Sequence, residues 1–368
     1  MDKNKISWVL PKDHSENAIK SVFENLNLIQ QTTALNAKEL SSLFVYLDSL
    51  YEFIVPIQDV SVQLRMIEEV LQTDLVLHFV EDLEFFEEFS ELYVDFVDFF
   101  LDLASGFEDK DFLEEMLRNI AFAKDGADPK SFLFLSVQEF LPKEKAFHIL
   151  NDILEKYEQM KAYPSEFTFE AAKALTDGLN APDYYEKLCF SVDKNKSIPS
   201  LLNVANAYYD VGDIPNTKRI LSEIQGPIDA LYEEDYLDLQ VGIASQEGKQ
   251  KEALALAKTL YQKYPKEFNL GRLCQLVSPE EAQNLLRQHE KSYLDDSVCE
   301  NYLSLLIGLE EFDLANEYLD QNEESLAGIE AQILFNIVER LESIGQIELA
   351  KRIEKWIVEE PEDLTSYD

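Results

Sequence analysis

Asn203-Val-Ala-Asn-Ala-Tyr-Tyr-Asp-Val-Gly-Asp213 is the stretch on which the fold turns. It sets an apolar residue, Val204, beside a small one, Ala205, places Tyr208 one helical turn further on, and ends at Gly212. Glycine supplies the left-handed turn that closes one helix and frees the chain for the next. Thr217 follows at the position where a small side chain lets a second helix close onto the first. The stretch therefore reads as the hinge of a helix pair.

The same signs recur downstream. A second copy has Gly248 at the turn, Ala253 at the small position and Pro265 at its end. Ala282, in Ser278-Pro-Glu-Glu-Ala, anchors a shortened unit whose Ser-Pro start suits a helix N-terminus. Ala315, in Glu310-Glu-Phe-Asp-Leu-Ala, anchors a fourth, and Gly345 with Ala350 and Pro361 a fifth. The anchors at 217, 253, 282, 315 and 350 are 36, 29, 33 and 35 residues apart. Two helices of about a dozen residues and two short turns fill roughly 34 residues. Such a pair buries its apolar face only against neighbours, so three or more must stack.

In these features residues 195–361 resemble the tetratricopeptide repeat (TPR) family, with Thr217 in place of the usual alanine and a fainter echo around Ala146. The resemblance implies a superhelix whose first helices line a concave surface. Carried over by position, that surface is lined by Leu202, Asn206, Tyr209 and Asp210 in the first copy, Asp235, Asp238, Gly242 and Gln246 in the second, Glu267, Gly271 and Gln275 in the shortened unit, and Glu300, Ser304, Glu339 and Glu342 in the last two. The partner-binding residues among them are taken to be Asn206, Tyr209, Asp210, Asp238, Gln246, Glu267 and Gln275. That groove is expected to be acidic and amide-rich, suited to a basic or neutral peptide. Some family members grip a C-terminal carboxylate with Lys, Arg and Asn. Here Asn206 matches one such position, while Leu202, Leu239, Tyr264 and Phe268 occupy others, which argues against that ligand.

Upstream, apolar periodicity predicts helices near 14–31, 37–55, 59–72, 74–104, 109–123, 130–140, 143–162 and 166–178. No Lys or Arg lies between Met66 and Asp109. Within that span Glu81, Glu84, Glu88, Glu91, Asp95, Asp98 and Asp102 alternate steps of three and four, a single stripe on one helix face. Most of the remaining circumference is apolar, including Phe79, Phe89, Tyr93, Phe96 and Phe100, so the helix must be buried by neighbours on several sides. The stripe is then either its one wet edge or an acidic ridge that docks a basic partner through Glu84, Glu88, Glu91 and Asp95.

The chain of 368 residues exceeds the usual size of one hydrophobic core, and its scarcity of Gly (11) and Pro (12) favours long helices over a strand-rich fold. The fold class is all-α. Residues 1–190 read as an acidic helical domain, either a bundle or degenerate repeats; 191–361 as a TPR-like α-solenoid of antiparallel helix pairs; and 362–368 as a short acidic tail. The net charge of −40 repels nucleic acid phosphates and anionic lipids, so direct nucleic acid binding and membrane binding are not expected. No apolar run suits a signal peptide or a membrane span, and Cys189, Cys274 and Cys299 are odd in number and far apart, which points to a reducing, cytoplasmic setting. The sequence carries no signal for oligomeric state.

No HExxH, GxSxG, Walker A or GxGxxG pattern is present, and no cofactor or metal is expected. His14, His78, His148 and His289 stand alone in the sequence, with His78 and His148 read as packed among apolar neighbours. The expected function is a non-enzymatic scaffold, adaptor or regulator that binds a basic or neutral protein or peptide through its acidic helical surfaces. The alternatives are an inhibitor that mimics nucleic acid and a peptide-sensing TPR regulator.

Overall fold

The computed structural model describes residues 6–32, 35–73, 83–123, 128–159, 166–294 and 300–357. Within them every regular element is helical. The fold is all-α. Packing divides the chain into two units, Met1–Gln225 and Gly226–Asp368.

The first unit comprises α1 (Glu16–Gln30), α2 (Ala37–Ile54), α3 (Val60–Leu71), α4 (Leu83–Gly106), α5 (Lys110–Ala121), α6 (Ser131–Leu135), α7 (Val137–Phe140), α8 (Lys143–Gln159), α9 (Glu166–Gly178), α10 (Pro182–Val192), α11 (Ile198–Asp210) and α12 (Ile214–Leu221). Side-chain caps fix several starts. Asn36 and Glu39 satisfy each other's backbone N–H groups ahead of α2, while the carboxylates of Asp59 and Asp109 accept the N–H of Ser61 and Phe112.

Helix α4 is central, packing on α2, α3, α6 and α7. Phe89, Tyr93, Phe96, Val97 and Phe100 are buried, whereas Glu91, Asp95, Asp98 and Asp102 are exposed, so the outer part of the stripe faces water. Glu81 and His78 lie outside the described residues, as do the side chains of Glu84 and Glu88. Where α9 meets α6, a Cβ on Gly178 would lie 2.3 Å from the Leu135 carbonyl oxygen. His148, expected to be packed, is instead exposed on α8 with Nδ1 3.4 Å from Glu114. Ala146, Ile149, Leu150 and Ile153 form the buried face of α8, and position 148 falls on the opposite side.

The second unit comprises α13 (Ala230–Gln246), α14 (Gln250–Lys263), α15 (Glu267–Cys274), α16 (Pro279–Tyr293), α17 (Glu300–Gly308), α18 (Phe312–Asn322), α19 (Ala331–Ser343) and α20 (Ile347–Glu354). Helices pack in consecutive pairs: α13 on α14, α15 on α16, α17 on α18 and α19 on α20, as α11 does on α12 in the first unit. All five small anchors are buried: Thr217, Ala253, Ala282, Ala315 and Ala350. Thr217 takes the place of an alanine because its hydroxyl donates to the Asp213 carbonyl at 2.9 Å, leaving no buried donor unpaired.

One backbone cap recurs. After α11, the Asp213 N–H reaches back to the Tyr208 carbonyl and the Gly212 N–H to that of Tyr209, with Gly212 at φ 76°. The same pair of bonds closes α13 around Gly248 (φ 71°) and α19 around Gly345 (φ 80°). It also closes α17 around Glu310 (φ 60°) and α9 around Asn180 (φ 50°), two residues with a Cβ in the left-handed region. A side chain there costs roughly 1–2 kcal/mol. Glu310→Gly is therefore expected to stabilise the second unit by about 1 kcal/mol, and Gly345→Ala to destabilise it by a similar amount. Urea unfolding followed by circular dichroism checks both, and equal midpoints for the two variants would show that the caps impose no such constraint.

Candidate functional site

Within the second unit, α15, α17 and α19 lie side by side, α17 packing on both of the others. Their shared face carries an open cavity of about 750 Å³. Its lining repeats at helical intervals: Phe268, Gly271, Arg272 and Gln275 from α15, then Asn301, Ser304, Leu305 and Gly308 from α17, with Arg340 from α19. Gly271 is buried, and a Cβ there would meet the Leu305 Cδ1 atom at 2.9 Å. At Gly308 a Cβ would stand in ordinary contact with the Arg340 guanidinium, 3.6 Å from Nη2. Two missing side chains thus keep the groove floor low.

The acids near the groove are committed to partners on the next helix. Arg272 binds Asp238 with two hydrogen bonds, Nε to Oδ1 at 3.0 Å and Nη2 to Oδ2 at 3.1 Å. The same guanidinium lies 5.3 Å from the ring centre of Phe268, which is itself 63% exposed. Lys266 donates to Glu234 at 2.7 Å, and Asn269 donates to the other oxygen at 2.8 Å. Burial works against ionisation of Glu234, yet these two donors leave its carboxyl below the usual range. Hydrogen bonds from Lys263 and Tyr264 likewise lower that of Glu233. These pairs run from α13 to residues in and around α15 and hold the two helices in register.

Glu267, at the start of α15, turns toward the interior. Its Oε1 lies 3.1 Å from Nε2 of His289, which has no exposed surface. The other ring nitrogen, Nδ1, lies 2.8 Å from the Tyr261 hydroxyl. A carboxylate only accepts, so Nε2 donates to Glu267, while the Tyr261 hydroxyl can either donate to Nδ1 of the neutral ring or accept from it in the imidazolium. Tyr261, Tyr293 and Tyr302 surround the imidazole, with ring centres 5.2–5.9 Å away. No sequence signal pointed to this chain, because its members lie on three separate helices.

Of the residues expected to line a binding surface, Glu267, Gly271, Gln275 and Ser304 come together on this cavity, and Glu300, Glu339 and Glu342 are not in its lining. Asp238 stands one helix away, held by Arg272, and Gln246 is exposed near the end of α13. Asn206, Tyr209 and Asp210 belong to α11 of the first unit, the first two half-buried and Asp210 exposed. Glu91 and Asp95 are exposed on α4. Sequence reading overlooked Arg340, Phe268 as a lining residue, and the Tyr261–His289–Glu267 chain. Cys189 and Cys274 are free and buried, and burial lifts the Cys274 thiol to about 12, so it is not a nucleophile. Among the described residues no helix is long and apolar enough to cross a membrane. No family model matches the chain, and no curated protein does.

Proposed function

We propose that this protein is a non-enzymatic adaptor that holds an extended segment of a partner protein in the groove formed by α15, α17 and α19. The observation that supports this reading is the combination of a cavity of about 750 Å³ with an exposed phenyl ring, amide and hydroxyl side chains, and low glycine floors. A peptide backbone needs close approach and hydrogen-bonding side chains, and an apolar anchor supplies affinity. The helix pairs fit the TPR-like reading of the sequence, in which such surfaces bind peptides.

A second reading concerns the first unit. Glu91, Asp95, Asp98 and Asp102 form an exposed row on α4, and among the described residues none of them is in an ion pair. Such a ridge suits a basic folded partner, including a nucleic-acid-binding protein that it would occlude by mimicry.

Affinity capture from a cell lysate with three baits separates the two. Ser304→Trp fills the groove from an exposed position, and the fourfold change of Glu84, Glu88, Glu91 and Asp95 to Lys reverses the ridge. The expected result is a partner bound by the wild type and the ridge variant but lost with Ser304→Trp. Loss only with the ridge variant would transfer the function to α4. Recovery unaffected by either change would sink both readings.

A further inference from the structure

The groove carries a charge feature at odds with the rest of the molecule. Acids outnumber bases 72 to 32, so a cation generally finds a carboxylate. Arg65, Arg118, Arg219, Arg272, Arg287 and Arg352 all do. Arg340 does not: among the described residues it has no ion pair, and it is exposed at the groove edge. On its own helix the residues three and four positions away are Asn336, Ile337, Ser343 and Ile344, so no acid stands one turn from it, and the exposed Glu339 and Glu342 point away around the helix by one and two residue steps. The guanidinium lies over Gly308, 3.6 Å from where a Cβ would stand.

The remaining lining does not counter this charge. Lys266 and Arg272 are neutralised by Glu234 and Asp238, and the one acid on the cavity wall, Glu267, is turned toward His289. The groove therefore offers a planar, five-donor cation at its α19 edge, with the exposed Phe268 ring on α15 and the half-buried Leu305 on α17 elsewhere along the same lining. A guanidinium fork matches a carboxylate through two parallel hydrogen bonds.

We infer that the groove recognises an acidic segment of its partner, with an aspartate or glutamate side chain bound by Arg340 and a neighbouring apolar residue seated against Phe268 and Leu305. This rests on the peptide-groove reading above. The overall charge of −40 limits the occupant. At physiological ionic strength screening acts within about 8 Å, so a carboxylate on Arg340 meets chiefly the nearby Glu339 and Glu342 and is shielded from the acids farther off. A polyanion such as RNA, running beyond the groove, does not.

The test uses the full chain and fluorescence anisotropy with three dye-labelled, C-terminally amidated decapeptide pools. One is rich in Asp and Glu with Leu and Phe, the second replaces the acids with Lys and Arg, and the third with Ser and Gln. Amidation removes the terminal carboxylate, so binding reports side chains. The acidic pool is expected to bind in a salt-sensitive manner. Arg340→Gln should weaken it by at least about tenfold, the loss expected of one charge-assisted contact, with Arg340→Lys intermediate and Ser304→Trp abolishing it. Because Arg340 is exposed, its variants should unfold like the wild type. If the basic or neutral pool binds and is lost with Ser304→Trp, the groove reading stands and acid recognition is overturned. Acidic-pool binding indifferent to Arg340→Gln overturns it too. Should no pool bind, both readings fall.

Discussion

Gly178→Ala is expected to destabilise the first unit by about 3 kcal/mol, the upper end of the usual cost of overpacking. The added Cβ would stand 2.3 Å from the Leu135 carbonyl oxygen and 3.0 Å from both the Leu135 carbonyl carbon and the Phe134 oxygen. All three are backbone atoms, so no side-chain rotation relieves the clash and α9 must move away from α6. That shift disturbs the ring contact between Phe134 and Phe167 and the buried Ala171, Ala172 and Leu175. Gly106→Ala is the control, since a Cβ there meets nothing within 4 Å. Urea unfolding by circular dichroism, with hydrogen exchange of the α6 and α9 amides, reads the difference. Coincident midpoints for the two variants would refute the close approach.

The second large effect is expected at His289. Truncation to Ala removes a fully buried ring from among three tyrosines and deprives Glu267 and the Tyr261 hydroxyl of a hydrogen-bond partner. Cavity formation and the lost bonds together amount to about 3–4 kcal/mol. His289→Gln, which can keep one of the two bonds, should recover part of that loss. An unfolding midpoint for His289→Ala equal to that of the wild type would show that the chain has no structural weight.

The helices were legible because their signals are local. The apolar spacing around Phe89, Tyr93, Phe96 and Phe100 defines a buried face and leaves Glu91 through Asp102 outside. Small residues at 217, 253, 282, 315 and 350 gave the pairs, and all five are buried. The turn at Asn180 was missed because asparagine holds the place of the glycine that marks its counterparts, and Glu310 entered the reading only as a neighbour of Ala315. His148 was misplaced because apolar sequence neighbours do not share its helix face.

The site was less legible than the fold. Asp238 reads as a free acid in its own helix, and the arginine that claims it stands 34 residues on. Glu267 is diverted in the same way by a histidine 22 residues away. Charge read along one helix at a time shows neither of these pairings, nor that Arg340 stands at the edge of the cavity.

The recurring cap also bears on how quickly the protein folds. Its bonds join residues three and five positions apart, around Asn180, Gly212, Gly248, Glu310 and Gly345 alike. Each helix then turns back onto its immediate successor, so few contacts within a pair require distant parts of the chain to meet. Loop closure is entropically cheap over such short separations. Among small two-state domains, those dominated by neighbour contacts fold fastest, so each helix pair is expected to form before the units complete their packing. By the same token, a defect in one turn is first felt by its own pair.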